Sequence, residues 1–298
     1  MTSKQSYHGH RLSTPLSSGP LKHNRYNYRE PHYWGDWMTI AIGILASNGI
    51  VLAADTEIST DGEIKGVDTK LVAATTQVYG KPAGQSIGVA GAGSWGYFQS
   101  VKLDVTKIVL SNLFDDPESN EHVKQRLGQF IGEFYQKHVI PFHKLKNPPD
   151  LQLLIGTWAY GKGLLWGTDK MVSYPSFDFD AIGVGGTYAR SLLHGYYTPM
   201  PVDSAAMLAI YAVARVKAAV AGCGQETQIL VVRDNMAKSL PRDLILRGEA
   251  MFSEQFIRAQ SRVMHFVLGI KNDPSAVEFE PIRDECDRLR QDIRDTIS

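Results

Sequence analysis

The sequence predicts an α+β fold: two antiparallel sheets stacked face to face, helices outside each, and extra helices at the C-terminal end. Strand-like stretches come in hairpin-linked blocks, helical stretches come in pairs, and the order is strands, helices, strands, helices, strand. A doubly wound parallel sheet would instead alternate strand and helix one by one.

The elements follow in order. In "TIAIGILASNGIVLAAD", Ile40, Ile42 and Ile44 alternate with small residues, a turn at Asn48-Gly49 reverses the chain, and Ile50–Asp55 is a nearly continuous apolar strand. A polar loop leads to "KLVAATTQV", a third strand, then to the turn "YGKPAGQ" and to "SIGVAGAG", a fourth. A helix is predicted from about Trp95 to Leu113, and a second where Val123, Leu127, Ile131 and Phe134 share one face before "NPPD" stops it. The second strand block reads "LQLLIGTW", "GLLWGTD", "MVSYPS" and "DAIGVGG". Helices at about Tyr188–Tyr197 and Asp203–Ala221 follow, and "TQILVV" closes the block as a strand. Residues 236–298 read as a helical C-terminal extension, with two helical segments from about Pro241. In the last of these Ile282, Cys286, Leu289 and Ile293 form a narrow apolar seam, suited to packing on the parent domain.

Residues 1–38 differ from the rest. They are rich in Ser, His, Tyr, Pro and Arg, hold four of the nine histidines, and show no apolar periodicity, so they read as a disordered extension or a propeptide ahead of a domain at 39–235. The histidines are irregularly spaced, so no metal site is expected there, and no cofactor is expected anywhere in the chain.

The bulk composition narrows the function classes. The 298 residues are 43% hydrophobic and 21% charged, ordinary for a globular protein. With 31 basic and 31 acidic side chains the formal net charge is zero, which argues against nucleic acid or a membrane surface as partner. No apolar run approaches the roughly 18 residues that would span a bilayer, and the first 38 residues lack the apolar stretch of a secretory signal. Cys223 and Cys286 make neither metal spacing nor a disulfide framework, which fits a cytoplasmic location.

One motif misleads. "GAGSWG", Gly91 to Gly96, matches G-x-G-x-x-G and taken alone suggests a dinucleotide site. The strands before it form hairpins, and no acid ends a parallel strand about 20 residues on, where a ribose partner belongs. The better reading is a tight turn with close helix–sheet packing, as for "GVGG" at Gly183–Gly186.

Several features then converge: a Thr opening a hairpin, an acid ending its second strand, a Lys opening the third and a Gly turn after the fourth. In "TIAIGILASNGIVLAADTEIS", "VAGAGSWG" and "GVGGTYARSLLHGYY…VDSAAMLAIYAVARVKAAV" the chain resembles the proteasome β-subunit family of N-terminal-nucleophile hydrolases, over about Thr39 to Val232. The resemblance implies a four-layer αββα sandwich and a threonine-type hydrolase that cleaves peptide or other amide bonds through an acyl-enzyme. It implies Thr39 as nucleophile, Asp55 as the buried acid, Lys70 as the cation favouring the alkoxide, and the Gly91 backbone N–H as oxyanion donor. Lys65 is a substitute for Lys70, because the loop before Lys70 is one residue short of the family pattern. A threonine at a chain terminus carries its own base, since an α-amine titrates near pH 8. The partners implied are a peptide or protein substrate and further copies of the chain, as a homo-oligomer or ring; the sequence names no ATPase partner.

Three positions depart from the family pattern. Val184, Val220 and Cys223 stand where the family has serine, aspartate and serine around the nucleophile's amine, and valine offers no hydrogen bond. The alternative is therefore a catalytically inactive ring or scaffold subunit on the same fold. Met38 also stands where family propeptides end in glycine. That favours translation from Met38 with methionine removal over self-cleavage as the route that exposes Thr39.

Overall fold

Strands β1 (Ala41–Ala46) and β2 (Gly49–Asp55) form a hairpin with Ala46 opposite Gly49, so the turn residues are Ser47 and Asn48. A short ribbon follows, β3 (Glu57–Thr60) with β4 (Ile64–Val67), and then β5 (Leu71–Thr76) and β6 (Gln85–Gly93). The helices α1 (Trp95–Leu113) and α2 (Asn120–His138) lead through a short 3₁₀ turn to β7 (Leu151–Ala159), β8 (Lys162–Asp169), β9 (Val172–Ser176) and β10 (Phe179–Ile182). Next come α3 (Gly186–Tyr196), α4 (Val202–Ala219), β11 (Thr227–Arg233) and β12 (Met236–Ser239). The chain closes with α5 (Arg242–Ala250), a π-helical stretch at Met251–Phe256, α6 (Ile257–Val267) and α7 (Glu280–Ile297). The computed structural model describes residues 39–60, 64–76, 85–113, 120–142, 150–159, 161–170, 172–268 and 280–298. The extension 1–38 and most of the turn "YGKPAGQ" lie outside the described residues.

The architecture is mixed α/β, with two five-stranded sheets in which every pair is antiparallel. One has the order β10-β1-β2-β11-β12, the other β5-β6-β7-β8-β9. The period-2 geometry of a strand explains how the apolar runs are shared out. In β2, Val51 and Ala53 join a core with α3, α4, α5 and α7, while Ile50, Leu52 and Ala54 face the second sheet. In β6, Ile87 and Val89 pack under α1 and α2, while Ala90 and Ala92 turn to the first sheet. Strands buried on both faces read as continuous rather than alternating apolar stretches, which is why Ile50–Asp55 looks as it does.

Three elements differ from the sequence reading. Met236–Ser239, read as the start of the helical extension, forms β12 and pairs with β11 at the edge of the first sheet. The polar loop after Asp55 contains the β3–β4 ribbon, whose four-residue strands carry too few apolar side chains to announce themselves. The "DAI" strand, β10, leaves the second strand block and pairs with β1 of the first, Ala41 opposite Ile182. That crossing brings the Gly183–Gly186 turn beside Thr39: Gly185 N–H donates to the Thr39 carbonyl at 3.3 Å. Gly183 has φ +86°, and a β-carbon there would run into the same carbonyl, so this close approach requires glycine.

The C-terminal helices pack on α4. Leu289, Ile293 and Ile297 of α7 enter the first core, and Arg294 Nε donates to Asp203, buried in the first turn of α4, at 2.7 Å. Among the described residues no helix is long and apolar enough to cross a membrane.

Candidate active site

The β1–β2 hairpin sets Thr39 and Asp55 side by side, because the register that opposes Ala41 to Ala54 continues one step to Ile40 and Asp55. Asp55 N–H donates to the Ile40 carbonyl at 3.3 Å, and Ile40 N–H donates to Asp55 Oδ1 at 3.1 Å. Lys70 enters from the residue before β5, whose start is held by β11: Lys70 N–H and the Thr69 hydroxyl both donate to Gln228 Oε1, at 3.3 and 3.0 Å. Thr39, Asp55 and Lys70 are therefore assembled by three separate strands.

The three side chains touch. Thr39 Oγ1 donates to Asp55 Oδ1 at 2.7 Å, Lys70 Nζ donates to the same carboxylate oxygen at 2.6 Å, and Lys70 Nζ also donates to Thr39 Oγ1. All are buried, at 3%, 0% and 4% exposure, so the interaction is little screened by solvent. Asp55 Oδ2 accepts from Gly224 N–H at 3.0 Å, which gives both carboxylate oxygens donors. The third Lys70 donor goes to the Glu57 carbonyl at 2.5 Å.

Burial pulls the Lys70 ammonium below its ordinary lysine range; the charges of Asp55, Cys223 and Glu57 and the Asp55 hydrogen bond only partly oppose this. With a lowered folded-state pKa, Lys70 loses its proton in the fold before it does so unfolded. Through that alkaline window the unfolded state binds more protons, so this group's contribution makes folding more favourable as pH rises. The charged form is the one that favours an alkoxide at Thr39. Were Thr39 a nucleophile with its own α-amine as base, turnover would rise as that amine deprotonates, near about pH 8, and fall again before the ordinary lysine range. A pH profile of kcat that stays flat through the alkaline range would remove Lys70 from the mechanism.

Cys223 borders the site, its thiol against the Gly185 backbone. Burial, and next the Asp55 charge, push that thiol up to about 12, with Lys70 opposing. A neutral, 5% exposed thiol is a poor nucleophile. Iodoacetamide at about pH 8 is expected to leave Cys223 unmodified in the folded chain and to modify it fully after denaturation, as read by peptide mass.

The remaining sequence-derived candidates behave differently. Gly91 N–H donates to the Lys70 carbonyl at 3.1 Å within the β5–β6 ladder, so it has no donor to offer an oxyanion. The physical reason is register: Gly91 is still inside strand β6. Two residues on, Gly93 has φ +100° where the strand turns into α1. It lies opposite Leu151, whose N–H and C=O are both taken by the Tyr135 hydroxyl, at 3.1 and 2.7 Å. Gly91 N–H already points to the β5 edge, and by Gly93 strand β6 has run past Leu71, where β5 begins. Lys65 lies in β4, and its side chain is outside the described residues. Val184 is 52% exposed in its turn, and Val220 caps α4.

Three contributors escaped the sequence reading. Glu57, the first residue of β3, is 4% exposed, and its carbonyl accepts from Lys70 Nζ. Gly224 lies in a glycine-bounded loop, "GCG", directly after a helix, and Gln228 starts an otherwise apolar strand. Among the described residues no group of three or more His, Cys, Asp or Glu side chains could hold a metal ion.

The mixed α/β fold and this buried Thr–Asp–Lys contact are the frame for comparison with known proteins. No family model matches the chain, and no curated protein matches it. Solved structures do. Anbu from Hyphomicrobium sp. strain MC1, in a Gly-1 mutant, has a TM-score of 0.59 at 16% identity, covering 75% of this chain and 96% of that one. Anbu from Yersinia bercovieri, described as an ancestral beta-subunit, has a TM-score of 0.56 at 14% identity, covering 75% and 97%. At 14–16% identity these likenesses show the fold alone, one shared with Anbu. They also correct the resemblance drawn from sequence: no family model places the chain among proteasome β-subunits, and the structures like it are Anbu proteins.

Proposed function

We propose that the chain is a threonine-type hydrolase that cleaves peptide or other amide bonds through an acyl-enzyme on Thr39, on a four-layer αββα frame. The observation that carries this reading is the buried contact of the Thr39 hydroxyl with both Asp55 and Lys70. Such a contact has no use in a strand-end residue that only packs, and it confronts a hydroxyl with a cation that favours its deprotonated form.

While residue 38 is attached, the Thr39 nitrogen is an amide and has no basicity. Once exposed, the α-amine accepts the hydroxyl proton as Oγ1 attacks the substrate carbonyl. Lys70 stabilises the charge on Oγ1, and Asp55 holds Lys70 charged. The Gly93 N–H, in place of Gly91, is the donor for the developing oxyanion. The α-ammonium then gives its proton to the leaving amine, and water releases the acyl group by the same steps. Further copies of the chain as a homo-oligomer belong to this proposal, as does a cytoplasmic location.

A non-catalytic scaffold subunit is the second reading. It is favoured by Val184, Val220 and the neutral Cys223, which leave an amine at Thr39 without the polar neighbours that the resemblance expects. One experiment separates the two: intact-mass measurement of the natively expressed protein, combined with labelling by a peptide electrophile that acylates terminal threonines. A species that begins at Thr39 and takes the label supports the hydrolase. A chain that retains residues 1–38 and stays unlabelled supports the scaffold.

A further inference from the structure

The loop that delivers Gly224 to Asp55 is itself gripped from α5. It runs from Val220, after α4, to Thr227, at the start of β11, and its conformation is not one that its sequence adopts freely. Gly222 has φ +86° and Gln225, a residue with a β-carbon, has φ +59°. A left-handed conformation is unfavourable for a residue with a β-carbon, so contacts must hold it. Lys217 Nζ donates to the Gln225 carbonyl at 3.0 Å. Lys217 is in turn paired with Glu249 of α5 at 2.5 Å, both side chains 16% exposed. The same Glu249 oxygen accepts from the Thr227 hydroxyl at 2.5 Å. One carboxylate thus holds the loop just after Gly224, at Gln225 through Lys217 and at Thr227 directly. A surface pair, Arg242 with Glu226 at 2.5 Å, adds a weaker tie from the start of α5.

We propose that Glu249 is a positioning residue for the site: through Lys217 and Thr227 it fixes the loop whose Gly224 amide holds the Asp55 carboxylate. The C-terminal helices are then not an appendage but part of what sets the Thr39–Asp55–Lys70 geometry. Loss of Glu249 leaves Lys217 half-enclosed without a counter-ion and Thr227 without its acceptor. The Gly224–Asp55 bond is the contact that loosens, because Gly224 has no side chain to anchor it.

The kinetic consequence rests on reading the site as hydrolytic; the structural one does not. The test therefore uses hydrogen exchange at the Gly224 amide of the full chain, alongside kcat and KM for a peptide substrate. Glu249→Gln is expected to speed Gly224 exchange about tenfold, the scale of one lost buried hydrogen bond to a charged group. Turnover should fall by a similar factor in kcat with KM unchanged. Arg247→Ala is the control, since Arg247 ties α5 to Asp292 and Glu285 of α7, at 2.7 and 3.3 Å, and touches nothing in the loop. It should leave Gly224 exchange within about twofold of wild type. Equal Gly224 protection in Glu249→Gln and wild type overturns the proposal, and so does an equal loss in Arg247→Ala, which would make α5 docking the whole effect. If the wild-type chain shows no turnover, the hydrolase reading fails while the exchange experiment still decides this one. Should Glu249→Gln not fold, the paired Lys217→Met and Glu249→Met change removes charge and counter-ion together and carries the same measurement.

Discussion

A chain beginning at Thr39 and carrying Thr39→Ala is expected to lose amide hydrolysis by about 10⁴-fold or more, the scale seen when a covalent nucleophile is removed. The hydroxyl is the attacking atom in the proposed reaction. The neighbouring thiol of Cys223, buried and pushed up to about 12, is in no state to replace it. The fold should survive. Asp55 keeps donors from Ile40, Lys70 and Gly224 after the hydroxyl is gone. The cost should be about 1–3 kcal/mol, the price range of one buried hydrogen-bonded group. Thr39→Ser should keep measurable activity, because hydroxyl and amine both remain. Circular dichroism and melting will report on the fold, and turnover of a fluorogenic peptide will report on the chemistry. Wild-type turnover by purified Thr39→Ala would remove the assignment altogether.

The second large effect is expected at the ion pair. Asp55→Asn or Lys70→Met should each destabilise the fold by about 3–5 kcal/mol, because each strands a buried charge. For a chain of this size that lowers Tm by roughly 10 °C. Asp55→Asn has a further fault specific to this site. Every group that touches the carboxylate is a donor: Thr39 Oγ1, Ile40 N–H and Lys70 Nζ on one oxygen, Gly224 N–H on the other. An amide has one acceptor and one donor end, so either orientation opposes donor to donor. The double variant Asp55→Asn with Lys70→Met should recover part of the lost stability, since the stranded charge is gone, yet recover no activity. Melting temperatures of the single variants that match wild type would mean that the pair is not buried in solution.

Much of this was legible in the sequence because it is local. Ile40, Ile42 and Ile44 alternate, Ile50 to Ala54 run apolar between a turn and an acid, and these patterns follow from strand geometry alone. They establish the hairpin, and the hairpin by itself places Thr39 next to Asp55. The paired helices and strand blocks likewise announced a mixed α/β chain with antiparallel sheets. Where reading failed, the deciding fact was a register or a crossing. Gly91 and Gly93 are indistinguishable as letters in "AGAG"; only the register against β5, which begins at Leu71, shows that the Gly91 amide is already bonded to the Lys70 carbonyl.

The sequence by itself determined the hairpin, the acid that closes it, the lysine that opens the third strand and the apolar faces that build the cores. Each of these is a short-range consequence of side-chain period and turn chemistry. Only the tertiary structure decided that β10 crosses to pair with β1, bringing the Gly183 turn to the Thr39 carbonyl. It alone joined Gly224 to Asp55 across 169 residues and Glu249 to Thr227 across 22. The reason is physical: a backbone amide or a charged side chain carries no mark in sequence of the partner it will meet. That partner is chosen by sheet order and helix docking, which emerge only when all the apolar faces are buried at once.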